Sequence, residues 1–181
     1  MADIFEEFIR NGELLAPLAQ IYEKLHARVQ ALVNDVMVDR LNETLGRIYK
    51  AESPIEQLLI IALNDSLAGF DYDKDIGVIQ SCYLRPQEPV KTRRGEYRVD
   101  VLVTVAMPGG SELKLAVECD GHDFHERTKE QAAHDKRRDR ALTEIGLRLV
   151  RFTGSEIWRD PWACAEEVCD VLRAMISERE R

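Results

Sequence analysis

Residues 97–106 (YRVDVLVTVA) and 113–120 (LKLAVECD) are two apolar runs separated by Pro108-Gly109-Gly110. Alternating apolar and β-branched residues around a Pro-Gly turn predict an antiparallel hairpin. The pattern is broken by carboxylates. Asp100 sits among Val99, Val101, Leu102 and Val103, while Glu118 and Asp120 close the second run. Alternate strand residues share a face, so Glu118 and Asp120 point the same way. Position 109 is the midpoint of 100 and 118, and a hairpin centred there sets Asp100 opposite Glu118. Like charges brought together in an apolar sheet raise one another's pKa values and cost stability unless neutralised. Arginine partners, giving a buried salt-bridge network, are one neutralising device. A divalent cation with oxygen ligands, magnesium or manganese, is the other. The second would activate water and stabilise charge on a phosphodiester under attack.

The surrounding elements predict a mixed α/β sheet flanked by helices. Ser53-Pro54 opens a helix, with serine as cap, proline at the first helical position and Glu56 at the third. Gly77 to Leu84 is read as a first strand, closed by Arg85-Pro86 and Glu88-Pro89. Tyr97–Ala106 and Leu113–Asp120 are the next two strands. Residues 126–146 form a helix ended near Gly146, Leu147–Phe152 a fourth strand and Pro161–Ile176 a closing helix. Before residue 53, Leu18, Ile21, Leu25, Val29, Leu32 and Val36 recur at three- and four-residue steps from Leu14 to Tyr49. That pattern predicts a helical extension over 1–52, ahead of a main domain over 53–181. The stripe is expected to pack across the main domain or to mediate homodimer or partner contact.

On the helix after Asp120, the azimuths of Leu142, Ala141, Arg138, His134, Gln131 and Arg127 fall within about 60° of Ile145. The stripe is apolar at its C-terminal end and polar and basic toward its N-terminal end. One half is expected to seal a core while the other lines a wet cleft beside the carboxylates. His122 and His125, just beyond the strand, are candidates for proton transfer, water positioning or phosphate contact. A zinc site from His122, His125 and His134 competes, although their spacing fits no standard zinc pattern. Arg85, Lys91, Arg93, Arg94 and Arg98 form a second basic run, suited to a phosphate backbone or simply to solubility.

Bulk properties limit the alternatives. Hydrophobic residues are 45% and charged residues 32% of 181, a globular mixture. No apolar run approaches the roughly 18 residues that span a bilayer. The start, MADIFEEFIR, has no basic flank before an apolar stretch, so a cytoplasmic protein with reduced cysteines is expected. The net charge of −8 opposes nucleic-acid binding, but residues 81–153 carry 14 basic against 12 acidic side chains. A basic face on an acidic protein still attracts phosphate locally.

S53-P54-I55-E56, Y97-R98-V99-D100, V117-E118-C119-D120-G121-H122, D135-K136-R137-R138-D139 and L149-V150-R151-F152 together resemble a known group. They are similar to the small endonuclease-like domains related to very-short-patch mismatch repair endonucleases, within the restriction-endonuclease-like, PD-(D/E)XK superfamily. The resemblance covers about residues 53–176. It implies a restriction-endonuclease-like core, magnesium-dependent cleavage of DNA phosphodiester bonds, Asp100 as central metal ligand and Glu118 as second acidic ligand. Glu56 matches the acidic residue often given by the first core helix, and His122 or His125 the histidine near the metal. Asp120 stands where many members carry lysine. An aspartate can only ligate metal, accept a proton or hold a basic partner, so Lys129, Lys136 or Arg138 would have to supply the missing positive charge. The expected metal ligands are Asp100, Glu118 and Asp120, and the expected phosphate contacts Arg93, Arg94, Arg98, Arg127, Lys129, His134 and Arg138. The alternative is a catalytically degenerate nuclease-fold protein that binds nucleic acid or a protein partner.

Overall fold

The structure is a computed structural model in which residues 23–68, 70, 79–120 and 129–179 are described, 129–132 and 134 by backbone alone. The chain divides into two compact units, Met1–Gly46 and Arg47–Arg181. Helix α1 (Ala27–Ile48) supplies most of the described part of the first unit. It does not continue unbroken from Leu14. The chain leaves the helical path at 24–26, where the His26 carbonyl accepts from the Val29 and Gln30 amides and its Nδ1 accepts from Arg28 N–H at 3.2 Å. The Leu25–Val29 spacing runs straight across this cap, so periodicity alone conceals it. No residue of α1 is buried, and Leu32, Val36, Leu41 and Leu45 are all exposed.

The second unit is a four-stranded mixed sheet with helices on both faces. Helix α2 (Pro54–Ala68) precedes β1 (Ser81–Thr92), β2 (Gly95–Ala106) and β3 (Glu112–Asp120); α3 (Lys129–Glu144), β4 (Arg148–Thr153), α4 (Gly154–Arg159) and α5 (Pro161–Arg179) follow. Strand order is β1-β2-β3-β4, antiparallel except for the β3–β4 pair. One face packs on α2 and α5: Val101, Val103, Leu115 and Val117 meet Leu59, Leu63, Val168 and Leu172 in the main core. The other carries a smaller cluster in which Leu102 and Ala116 meet Leu142 of α3. Burying such branched side chains is the main force holding the layers together.

Several expected elements form for local reasons. Ser53 Oγ accepts from Glu56 N–H at 3.3 Å at the start of α2. In the β2–β3 turn Gly110 N–H donates to the Met107 carbonyl at 3.3 Å, with Pro108 and then Gly109 at φ 82° between them. That is the order a type II turn requires. Helix α3 ends at Gly146, φ 75°, with Leu147 N–H on the Leu142 carbonyl and Gly146 N–H on the Thr143 carbonyl, the Schellman pattern. This reversal leaves Ile145 43% exposed rather than in the core stripe, while Ala141 and Leu142 are buried as expected.

The first strand departs from the sequence expectation. It runs through Pro86 and Pro89 to Thr92 instead of stopping at Leu84. Proline is tolerated because β1 is an edge strand, where a missing N–H costs no ladder bond. The basic run 85–98 is therefore two strands and a two-residue turn. Helix α4 was also unforeseen, although Thr153-x-x-Glu156 is its signal. Glu156 N–H donates to Thr153 Oγ1 at 3.3 Å and Thr153 N–H donates to Glu156 Oε2 at 2.7 Å, a capping box.

Candidate functional site

Strand pairing brings the carboxylates together as the hairpin midpoint requires. The β2–β3 ladder pairs Val101 with Val117, and one further step sets Asp100 against Glu118. The ladder's last backbone bonds give way there to a side chain: Cys119 N–H donates to Asp100 Oδ2 at 2.7 Å. Inward and outward alternation slips at the same level in β1 and β2. Val99 and Leu102 belong to the smaller cluster while Val101 between them joins the main core. On β1, Leu84 joins the main core and Val90 packs on the smaller cluster. Between those two lies Gln87 at φ 53°. A non-glycine residue in the left-handed region is costly and persists where surrounding contacts fix it. Here Gln87 Nε2 donates to Glu56 Oε2 at 2.6 Å.

Glu56 is held by α2's own start as well. Its Oε2 accepts from Glu52 N–H at 2.9 Å and its Oε1 from Ser53 Oγ at 2.9 Å. The side chain is 8% exposed. Three donors thus fill three of this carboxylate's roughly four acceptor positions, and it both caps α2 and ties the helix to β1.

Glu118 is 4% exposed and faces α3. Arg138 grips both its oxygens: Nη1 donates to Oε2 at 2.6 Å, and Nη2 to Oε1. Nη2 also donates to the Arg98 carbonyl at 2.8 Å. The guanidinium fork matches a carboxylate in its own plane. Beside it Arg151, the β4 residue paired with Glu118, binds Asp139 of α3 through both η nitrogens. Asp120 ends β3 opposite Thr153. Gly154 lies against it: a Cβ there would sit 3.6 Å from the Asp120 carbonyl oxygen.

The cluster's electrostatics reflect its burial. Desolvation pushes the Asp100 carboxyl up to about 6; the Cys119 amide opposes the rise, the charges on Glu118 and Glu56 add to it, and Arg138 opposes it. The Cys119 thiol is driven well above its ordinary value, first by burial and then by the charges on Asp100, Glu56, Glu118 and Asp120. The charges of all four carboxylates therefore reach the Cys119 thiol. Arg151 is raised by its bond to Asp139, with smaller contributions from Glu118 and Asp120.

In this arrangement Arg138 competes with a divalent cation for Glu118. Both Glu118 oxygens are occupied by Arg138, both Glu56 oxygens by hydrogen-bond donors, and one Asp100 oxygen by the Cys119 amide. Among the described residues no group of three or more His, Cys, Asp or Glu side chains is arranged to hold a metal ion. His122, His125 and Arg127 lie outside the described residues, and Lys129 and His134 are placed on α3 by backbone only.

The other basic candidates are mostly paired within the protein. Arg94 holds Glu144 through Nε at 3.0 Å and through Nη2, and Arg98 holds Glu52 at 2.7 Å. Arg93 is exposed at the β1–β2 turn, as are Lys136, Arg137 and Arg140 on α3. The Arg94–Glu144 pair pins that turn to the end of α3. Sequence reading singled out Arg138 but assigned it to phosphate or to replacing a lysine; the Asp139–Arg151 pair and the part played by Gln87 were missed. The D-K-R-R-D run contains two of those residues, but nothing local says which charge meets which strand.

The sequence model of the REase_MTES_1575 family matches residues 83–172. No curated protein and no solved structure matches the chain. Among the described residues no helix is long and apolar enough to cross a membrane. The matched segment holds Asp100, Glu118, Asp120 and Arg138 within a mixed sheet flanked by helices, and it supports a place for this chain in the broader restriction-endonuclease-like, PD-(D/E)XK superfamily.

Proposed function

We propose that this chain is a nuclease-fold protein that binds nucleic acid, and whose carboxylate cluster is neutralised by its own Arg138 instead of by a metal ion. The observation that carries the reading is the two-pronged Arg138–Glu118 pair, with side chains 18% and 6% exposed. A carboxylate committed to a guanidinium in a dry environment is a poor ligand until that pair is broken. Aspartate at 120 in place of the superfamily's common lysine agrees with a site that has drifted from hydrolysis. The binding surface would be α3 with the β1–β2 turn: Lys136, Arg137, Arg140 and Arg93 are exposed on elements pinned together by Arg94 and Glu144. Such a surface holds phosphates and positions a strand without reading bases.

A second reading, the metal-dependent endonuclease acting on DNA with magnesium or manganese, is favoured by one observation. The charges of all four carboxylates still reach the Cys119 thiol, and Asp100 is raised first by burial and then by Glu118 and Glu56. It requires Arg138 to leave Glu118. The deciding experiment pairs binding with cleavage. Fluorescence anisotropy against duplex and single-stranded DNA and RNA is expected to show salt-dependent binding that weakens in Arg137→Glu/Arg140→Glu. Supercoiled DNA with magnesium or manganese is expected to stay intact. Metal-dependent cutting that Asp100→Ala abolishes overturns the degenerate reading in favour of the endonuclease.

A further inference from the structure

Both tryptophans of the chain lie at the surface. Trp158 on α4 is 70% exposed and Trp162 at the start of α5 is 50% exposed, while Leu59, Leu63, Ile157 and Leu172 of the same helices are fully buried. An exposed indole forgoes the largest apolar burial that a side chain offers, so a pair of them is informative. Trp162 is held in place, since its Nε1–H donates to Asp65 Oδ2 at 3.1 Å. Ile61, one turn before Asp65 on α2, is exposed on the same side of that helix. Among the described residues the Trp158 indole makes no hydrogen bond or ring contact. Asp160 lies between the two tryptophans and joins their helices. Its N–H donates to the Glu156 carbonyl at 3.0 Å, and its Oδ1 accepts from Ala163 N–H at 3.0 Å. Four residues span at most about 14 Å, so one extended chain can touch both rings.

The surroundings of this pair are acidic. Glu156, Asp160, Glu166, Glu167 and Asp170 are exposed around the two tryptophans and along α5, and Asp65 is exposed on α2, against Arg159. Arg173 is committed to Glu166 and Asp170, at 3.1 and 2.7 Å, which leaves the surface negative. On the other side of the sheet α3 exposes Lys136, Arg137 and Arg140. Phosphate is therefore drawn to α3 and repelled from the tryptophans, as an anionic membrane is. We propose that the tryptophan surface docks a basic, extended segment of another protein. Trp158 and Trp162 take its apolar side chains and the stems of its lysines or arginines, and the acidic rim takes their charges. Indole is the best aromatic face for a cation, and tryptophan is among the residues that most often anchor protein contacts. The inference is independent of how the carboxylate cluster works and of nucleic-acid binding on α3.

The test is fluorescence anisotropy of the full chain with a labelled decapeptide of alternating arginine and leucine. Two counterparts carry glutamate for each arginine or serine for each leucine. Ten extended residues reach about 33 Å, enough to span both indoles. Saturable binding of the arginine–leucine peptide is expected, about tenfold or more tighter than that of either counterpart. Trp158→Ala and Trp162→Ala are each expected to weaken it at least about tenfold. Asp65→Asn combined with Asp160→Asn keeps both hydrogen-bond acceptors and removes both charges, and is expected to weaken it at least about threefold at low salt. Lys114→Gln, on the α3 side of the sheet, serves as the unchanged control, and thermal melts confirm that each variant is folded. No saturable binding, either counterpart binding as tightly, or undiminished binding in both tryptophan variants overturns the inference. A wild-type dimer in sedimentation that Trp158→Ala dissolves also overturns it and assigns the surface to a second copy. Oligonucleotide binding that Trp158→Ala abolishes overturns it in favour of nucleic acid.

Discussion

Replacing Arg138 with methionine keeps most of the side chain's length and removes only the charged fork. Glu118, with a side chain 6% exposed, then loses both partners on its two oxygens. Stranding one member of a buried ion pair costs about 3–5 kcal/mol, because the remaining charge is desolvated with nothing to compensate it. For a chain of this size about 1 kcal/mol moves the melting temperature by about 2–4 °C, so Arg138→Met is expected to melt about 6–20 °C lower. Adding Glu118→Leu removes the stranded charge and is expected to restore most of that loss. What stays lost is the Arg98 carbonyl's partner, about 1 kcal/mol. The assay is urea denaturation of wild type, both single variants and the double variant at pH 7, followed by circular dichroism. Additive losses across this cycle, or a single-variant loss under about 1 kcal/mol, would refute the reasoning. Magnesium separates the two functional readings in the same experiment. If Glu118 is a metal ligand once freed, magnesium raises the melting temperature of Arg138→Met and leaves the wild type unchanged; the degenerate reading expects no rescue.

Asp100 sets a pH dependence of definite sign. Its folded value, about 6, lies above the ordinary 3.8, so the folded state holds the proton longer and stability falls as pH rises from about 4 to 6. A shift of about two units corresponds to at most about 3 kcal/mol, and solvent access reduces it to about 1–2 kcal/mol. Asp100→Asn keeps an acceptor for the Cys119 amide and is expected to be more stable than wild type at pH 8 but not below pH 4; an equal effect at both, measured by urea titration, would contradict this. Cys119, its thiol raised by burial and surrounding carboxylates, is expected to resist iodoacetamide at pH 8 until the protein is unfolded, as mass spectrometry would show. Ser53→Ala removes the acceptor for the Glu56 amide and a donor to its carboxylate, and is expected to cost about 1 kcal/mol in chemical denaturation.

Local chemistry determined much of the second unit. Ser53-Pro54-x-Glu56 started α2, Pro108-Gly109-Gly110 turned the hairpin, Gly146 stopped α3, and the two-residue period fixed the register that sets Asp100 against Glu118. Each of these is decided by neighbours a few residues away, so a sequence displays it. The superfamily likeness, on residues 83–172, was legible for the same reason, since it rests on short motifs in order. What the sequence withheld depends on where an element ends up. Pro86 and Pro89 read as a strand's end until β1 is known to lie at the sheet's edge, where no neighbour needs their amides. The slip at Gln87 and Asp100 exists because Glu56, 31 residues from Gln87, arrives to hold the glutamine. Arginine and a metal ion were equally good partners for the carboxylates on paper. Only the docking of α3 on the sheet brought Arg138 onto Glu118, 20 residues away, because a charge's partner is fixed by distance in space and not by spacing along the chain.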